Sequence, residues 1–268
     1  ETRPDTVVAT HPFPLALMAE LKRRGETSVR LVGTVTDFTV HPFWMYDEVD
    51  NYTLAAESLL TSPTVRATAD SRLWLTGIPI DPQFGDPHEP RLVKEELGFS
   101  ADDRVVLVMG GGLGLGPIER VVGSLMKSDN CRVIVVAGRN ESLVQSLKDL
   151  EEQYSGRLKA FGYVAGIPRI MAASDVLISK AGGLTAAEAL AKNLPIIILS
   201  PIPGQEQRNA EFLIARGAAL RAESPSEAAA AAVQILGRPR LREAMLRACA
   251  ELGKPRAAVE VAKLILGG

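Results

Sequence analysis

The run Val105-Val106-Leu107-Val108-Met109-Gly110-Gly111-Gly112-Leu113-Gly114-Leu115-Gly116-Pro117 decides the fold. Five apolar residues in a row describe a strand buried on both faces, as parallel sheets require. Five glycines in the next seven positions describe a loop, and Pro117–Lys127 has the composition of a helix. A strand that breaks into glycine and re-forms as a helix is the entry to a βα unit.

Reading toward the C-terminus, the unit repeats. Arg132–Ala137 is a strand and Glu141–Gln153 a helix; Leu158–Phe161 is a strand, and a short helix precedes the strand Val176–Ile178. Leu184–Lys192 is a helix, Ile196–Leu199 a strand and Glu206–Arg216 a helix. Each apolar run is short, and each helix is long enough to return the chain, so the sheet is parallel with right-handed crossovers. Ser226–Leu236, Arg240–Leu252 and Arg256–Leu266 are helical. Toward the N-terminus, strands are expected at Thr6–Ala9, Val29–Val32, Asn51–Ala55 and Leu73–Leu75, with a helix over Pro12–Arg24 stopped by Gly25. Pro79, Pro82, Pro87 and Pro90 resist helix and central strand alike, so residues 78–90 are expected to link two domains. The organisation expected is a domain over 1–82, a linker over 83–90, a second domain over 91–252, and a terminal helix over 253–268 that crosses back to the first domain.

The chain has 268 residues, room for one large domain or two modest ones. Hydrophobic residues make up 46% and charged residues 23%, which excludes a disordered chain. A net charge of −2 gives no field that would favour nucleic acid. The two cysteines, Cys131 and Cys249, form no CxxC, which points to a reducing compartment and no zinc site. No apolar run approaches the length of a membrane span. The chain opens Glu-Thr-Arg-Pro-Asp without a methionine and runs at once into a strand, which reads as a cut through a larger protein.

Ligands of parallel sheets bind at the carboxyl ends of the strands, and three such ends carry suggestive loops. In Gly110–Gly116 the glycines allow close backbone approach to a phosphate, and the following helix offers free N–H groups. No register satisfies GxGxxG, the next strand ends in Gly138-Arg139 without an acidic ribose partner, and Pro117 replaces the Walker lysine. In Ser179-Lys180-Ala181-Gly182-Gly183-Leu184-Thr185-Ala186-Ala187-Glu188, Gly182 and Gly183 expose backbone amides, and Thr185 can cap the helix or donate to a phosphate. Glu188 either accepts from a ribose or answers Thr185 in a capping box. In Ser200-Pro201-Ile202-Pro203-Gly204-Gln205-Glu206-Gln207-Arg208-Asn209, a rigid loop delivers Gln205 and Glu206 either to sugar hydroxyls or to an ordinary polar helix start. Two glycine loops and a Gln-Glu pair suit a nucleotide diphosphate sugar better than NAD.

At these residues the sequence resembles glycosyltransferase family 28, and within it the diacylglycerol sugar transferases: monogalactosyldiacylglycerol synthases and processive diacylglycerol glucosyltransferases. The nucleotide-sugar signature is similar from Ser179 to Glu188, then at Pro203-Gly204-Gln205-Glu206 with Asn209. Further similarity lies at Val108–Glu119, Thr36-Asp37-Phe38, His41 with Trp44, Gly77–Phe84 and Gly162-Tyr163-Val164. The resemblance implies an α/β GT-B fold of two Rossmann-like parallel-sheet domains, the N-terminal one incomplete here. It implies that backbone at Tyr163 and Val164 meets uracil and Glu188 meets ribose. Gly111, Gly112, Gly182, Gly183 and Thr185 would surround the diphosphate, and Gln205 and Glu206, with Asn209 nearby, would hold the sugar.

The reaction implied is inverting transfer of galactose or glucose from UDP-galactose or UDP-glucose to diacylglycerol or a related lipid. The setting implied is the cytoplasmic surface of a membrane, with the protein peripheral to it. UDP is expected to leave without a metal or cofactor, since no Asp-x-Asp motif is present. The family's glycine-rich opening, with its candidate base histidine, has no counterpart in this chain. Asp37 and His41 are the remaining polar groups expected to face the cleft, each with a structural role as the alternative. His11 and His88 are expected to be structural or on the surface. Phe43-Trp44-Met45 either touches lipid or packs. Rival readings are a nucleotide-sugar-binding half of a split transferase, or a transferase or epimerase acting on UDP-N-acetylglucosamine.

Overall fold

The computed structural model describes residues 3–128 and 130–267. They form two compact units: residues up to Pro82 together with those from Lys254 onward, and Gln83–Gly253. Residues 83–90, expected to be a linker, thus belong to the second unit. Pro82–Gly85 is a 3-10 turn, and Pro90 begins a helix, α2 (Pro90–Glu96), rather than blocking one. Proline at the first helical position gives up an N–H that has no partner there anyway.

The first unit is a four-stranded parallel sheet in the order β1 (Thr6–Ala9), β2 (Arg30–Thr34), β3 (Asn51–Thr53), β4 (Leu73–Trp74). Helix α1 (Pro12–Arg23) connects β1 to β2 and ends before Gly25, whose φ of 73° is left-handed. Tyr52 is fully buried, and its hydroxyl exchanges hydrogen bonds with the backbone of Tyr46 at 2.8 and 3.1 Å. A Cβ on Gly33 would stand 2.8 Å from the Tyr52 ring, so this strand position is glycine because an aromatic ring occupies the space. The final helix, α10 (Ala257–Leu266), belongs to this unit; Arg30 of β2 donates to the Ile265 carbonyl at 3.3 Å.

The second unit carries six parallel strands in the order β10-β9-β8-β5-β6-β7. They are β5 (Val105–Met109), β6 (Arg132–Val136), β7 (Leu158–Phe161), β8 (Val176–Ser179), β9 (Ile196–Leu199) and β10 (Ala219–Ala222). Connecting them are α3 (Ile118–Leu125), α4 (Glu141–Gln153), α5 (Ile167–Ala172), α6 (Gly183–Ala191) and α7 (Gln205–Ala215), followed by α8 (Pro225–Gly237) and α9 (Pro239–Leu252). Strands β5, β8 and β9 are buried along their whole length, which is why they read as unbroken aliphatic runs. Val106, Val108, Val133, Val135 and Ile178 pack with Val121, Val122, Leu125, Leu147 and Ala232 from α3, α4 and α8 into one core. Each fully buried Leu or Val contributes about 1.5–3 kcal/mol. Asn140 starts α4 by accepting from the Leu143 amide at 3.0 Å, and Ser224 starts α8 by accepting from Glu227 at 3.2 Å. Cys131 and Cys249 are buried thiols; burial raises both, pushing Cys249 up to about 12. Among the described residues no helix is long and apolar enough to cross a membrane.

Candidate functional site

The strand order reverses direction between β5 and β8: β6 and β7 lie to one side, β9 and β10 to the other. At such a point the two following loops turn away from each other and leave a crevice. Met109 pairs with Ser179, so Gly110 and Lys180 leave the sheet side by side. Ser179 in turn pairs with Ile198, which brings the loop after β9 to the same edge.

In the first loop the glycines divide into two kinds. Gly110, Gly114 and Gly138 are demanded by packing: a Cβ on Gly114 would meet the Ala137 carbonyl oxygen at 2.2 Å, and one on Gly138 the Gly112 oxygen at 2.5 Å. The loop is closed by Gly114 N to Gly111 O and Leu115 N to Gly110 O, both 3.0 Å, and tied to the next strand by Arg139 N to Gly112 O, also 3.0 Å. Gly112 and Gly116 face open space, and a Cβ on Gly111 would approach only Lys180, at 3.9 Å. Among the described residues, no protein group accepts from the Gly111 and Gly112 amides, which leaves them available to an anion.

The second loop runs into α6 through Gly182, its N-cap, and no side chain caps this end. The N–H groups of the first turn and the positive end of the helix dipole therefore face the crevice. With Gly182 as N-cap, Thr185 is the third helical residue and Glu188 the sixth. The Thr185–Glu188 capping box does not form, because Thr185 lies inside the helix. Glu188 is half-buried, about 7–8 Å along the axis from Gly183. Asn209, expected beside the sugar, is fully buried in α7; its Nδ2 donates to the Ala181 carbonyl at 3.2 Å. It holds the second loop rather than lining a surface.

The third loop contains strain. Ser200, directly after β9, has a φ of 52°, and Pro201 follows. A non-glycine residue held left-handed stores roughly 1–3 kcal/mol and often marks a functional site. Gly204 (φ 100°) opens α7, with Gln205 exposed at its first position. Glu206 is engaged on both oxygens: Oε2 accepts from the Ile202 amide at 2.8 Å, and Oε1 pairs with Lys180 Nζ at 2.9 Å. Lys180 was part of the motif but was not assigned a site role from the sequence. Its partner lies 26 residues further on, so no local pattern announces it.

At the ends of β6 and β7, Gly138, Arg139, Val144, Gln145, Gly162 and Tyr163 bound a surface cavity of about 430 Å³. Tyr163 is 71% exposed, and the Arg139 guanidinium sits over its ring at 5.4 Å, a cation–π contact. Val164 beside it is half-buried. In the sequence Arg139 registers only as the absence of an acid after β6. A larger concavity of about 590 Å³ lies beside α8, lined by Arg221, Glu227, Gln234 and Arg238. The uncapped start of α9 reaches it at Arg238, but no glycine loop and no carboxyl end of a central strand contributes to its lining.

In the first unit, His41 caps the 3-10 turn Pro42–Trp44: its Nδ1 accepts from the Phe43 amide at 3.2 Å. His41 thus serves as a helix cap, the structural alternative, and His11, expected to be structural or on the surface, likewise accepts from the Phe13 amide at 3.3 Å. Asp37 is buried, 7% exposed. His88 Nδ1 lies 3.1 Å from Lys192 Nζ. The Phe43-Trp44-Met45 segment divides: Trp44 is buried, Phe43 exposed. Among the described residues, no group of three or more His, Cys, Asp or Glu is placed to hold a metal ion.

Comparison with known proteins agrees with this architecture. Residues 1–80 match the family model of monogalactosyldiacylglycerol (MGDG) synthase, and 105–248 that of the glycosyltransferase family 28 C-terminal domain. The processive diacylglycerol beta-glucosyltransferase of Bacillus subtilis is 35% identical over 221 residues, 82% of this chain and 57% of that protein. The protein of the same name from Bacillus cytotoxicus is 32% identical over 265 residues, 98% of this chain and 68% of that protein. The chain thus spans little more than half the length of several relatives it matches. Among solved structures, Acinetobacter baumannii MurG is similar with a TM-score of 0.69 at 15% identity, covering 98% of this chain and 75% of that one. Anabaena Alr3699/HepE in complex with UDP-glucose is similar with a TM-score of 0.60 at 16% identity, covering 98% and 79%. At these identities the likeness is one of fold, and the fold is GT-B.

Proposed function

The chain belongs to glycosyltransferase family 28, and on that premise we propose that it transfers a hexose from a UDP-sugar to diacylglycerol. Glucose is the first donor to test, because the Bacillus relatives are named glucosyltransferases; galactose is the alternative that the family model over residues 1–80 raises. The observation that carries the reading is the crevice where β5 and β8 part, with open glycine amides on one side and the uncapped start of α6 on the other.

In this reading the diphosphate rests on the amides of Gly111, Gly112, Gly182 and Gly183, with Thr185 beside it and the Lys180 ammonium facing it. Glu188 accepts from the ribose hydroxyls. Uracil lies at the Tyr163–Val164 backbone, with Arg139 and Tyr163 forming a face on which it stacks. Gln205 and Glu206 take the hexose. Removal of the lipid hydroxyl's proton lets that oxygen attack the anomeric carbon from the side opposite UDP, so the configuration inverts. Charge developing on UDP is met by preorganised amides, a helix terminus and one ammonium, a site needing neither metal nor cofactor. The acceptor's insolubility implies work at a membrane surface.

Thermal unfolding with UDP, UDP-glucose, UDP-galactose and NADPH tests the donor. A uridine ligand at one hundred times its dissociation constant should stabilise by about 2.7 kcal/mol, and NADPH should not. Stabilisation by NADPH alone overturns the reading. Incubation with donor and diacylglycerol micelles tests transfer, and the anomeric configuration of the product tests inversion.

A further inference from the structure

We propose that Lys180 and Glu206 form a nucleotide-operated latch: the ion pair holds the sugar-gripping carboxylate shut until a diphosphate draws the ammonium away. This rests on the UDP-sugar reading above. Lys180 Nζ lies 2.9 Å from Glu206 Oε1, and each side chain is 16% exposed. The lysine stem passes the first glycine loop, 3.9 Å from where a Gly111 Cβ would stand. Glu206 Oε1 lies 3.9 Å from where a Gly182 Cβ would stand. One ammonium therefore reaches both the loop after β5 and the carboxylate at the start of α7.

The other carboxylate oxygen is held by the Ile202 amide at 2.8 Å. In this state each Glu206 oxygen already has one partner, backbone or lysine, so a hexose hydroxyl approaching Oε1 must share it with the Lys180 ammonium. A diphosphate bound across Gly111, Gly112 and Gly182 puts two or more negative charges beside an ammonium that now faces one. A group carrying two or more negative charges attracts the ammonium more strongly than a single carboxylate does, so Lys180 turns to the nucleotide. Oε1 is then released beside Gly182, where the sugar attached to that diphosphate must lie. The ion pair opposes UDP binding, and its rupture prepares the sugar subsite.

The consequence has an unusual sign. Glu206→Gln keeps the amide cap on Ile202, because the carboxamide oxygen still accepts, but removes the charge that ties Lys180 back. UDP should then bind about 2- to 5-fold more tightly than to the unaltered protein, the range expected for freeing a partly exposed ion pair. UMP, which has no β-phosphate, should bind equally to both. UDP-glucose should lose the increment it gains over UDP. Lys180→Met should weaken UDP while leaving UMP nearly unchanged. Isothermal titration of UMP, UDP and UDP-glucose against the three proteins reads all of this, with thermal melting as a check on folding. If Glu206→Gln weakens UDP and UMP alike while melting normally, the latch is overturned and Glu206 is only a loop support. If the unaltered protein binds none of the three, it is the UDP-sugar reading itself that fails.

Discussion

The two ends of the β5–β8 strand pair solve opposite problems with the same kinds of group. At the amino ends, Asp175 is 5% exposed and fully engaged: it accepts from the Val105 amide at 2.9 Å and meets Lys94 at 3.2 Å, Arg242 at 2.6 Å and Arg104 at 3.3 Å. At the carboxyl ends, Lys180 meets a single carboxylate, and the Gly111 and Gly112 amides and the start of α6 meet no protein acceptor that the described residues supply. One end commits its carboxylate wholly to partners within the fold, although the buried Arg242 Nε finds none among the described residues, and gains rigidity. The other keeps donors unspent, which is the condition for binding an anion.

The comparison breaks first at Asp175. Asp175→Asn leaves Lys94 buried without a counter-charge and removes the anchor of two arginines. Removing one partner of a buried ion pair typically costs about 3–5 kcal/mol. Chemical denaturation should show a loss of that size, while the UDP dissociation constant of the folded fraction stays put. A stability loss under 1 kcal/mol would make the amino-terminal cluster ornamental and dissolve the contrast.

Gly114→Ala sharpens the carboxyl end by separating its packing glycines from its binding glycines. The new methyl group meets the Ala137 carbonyl oxygen at 2.2 Å, and the φ of 58° is strained for alanine. The expected destabilisation is about 2–4 kcal/mol from strain and overpacking together. Gly112→Ala, whose methyl group meets nothing within 4 Å, should change stability by no more than about 0.5 kcal/mol and still weaken UDP. Equal melting temperatures for the two variants would refute this division.

Glu188 tests whether the binding end extends along α6. Because Gly182 is the N-cap and Glu188 the sixth helical residue, Glu188 lies beyond the first turn and is no capping-box partner. Glu188→Ala should weaken UDP by about 1.5–3 kcal/mol, the range for hydrogen bonds to a charged group. Affinity unchanged within error would move the ribose elsewhere.

What was legible in the sequence follows burial. Strands β5 and β9 and helix α4 stand at the residues expected, since central strands must be continuous aliphatic runs and Asn140 caps α4 visibly; the edge strand β7, Leu-Lys-Ala-Phe, also stands where expected although only its first residue is buried. β10 was missed: Ala-Leu-Arg-Ala carries no β-branched residue and sits at the sheet edge, half its positions unburied. α2 is hidden because proline signals a break in the sequence, whereas Pro90 is the first helical residue. At the site, the glycine loops could be seen in the chain because backbone approach demands glycine. The Lys180–Glu206 pair, the Arg139–Tyr163 contact and the inward turn of Asn209 could not, because each is set by a partner 24 to 28 residues away. The cap itself is not legible either: the sequence leaves His41 between a catalytic and a structural role, and only the bond to Nδ1 shows it capping the turn.

The smallest expected effect lies in the loop after β9, where the carboxyl end holds strain in place of open donors. Ser200 is left-handed at φ 52°, a conformation that glycine adopts without penalty. Left-handed backbone costs an ordinary residue about 1–2 kcal/mol. Glycine gives back roughly 0.5–1 kcal/mol of that through the greater entropy of its unfolded chain. Ser200→Gly should therefore stabilise the protein by about 0.5–1 kcal/mol, measured by chemical denaturation. Its effect on binding should be the reverse. Ser200, Pro201 and Pro203 together fix the path that delivers Gln205 and Glu206, and a glycine at the hinge loosens that path. UDP-glucose should weaken a few-fold while UDP alone does not. If Ser200→Gly destabilises the protein, the left-handed serine is making an interaction worth more than its strain, and this loop is built like the amino end of the sheet.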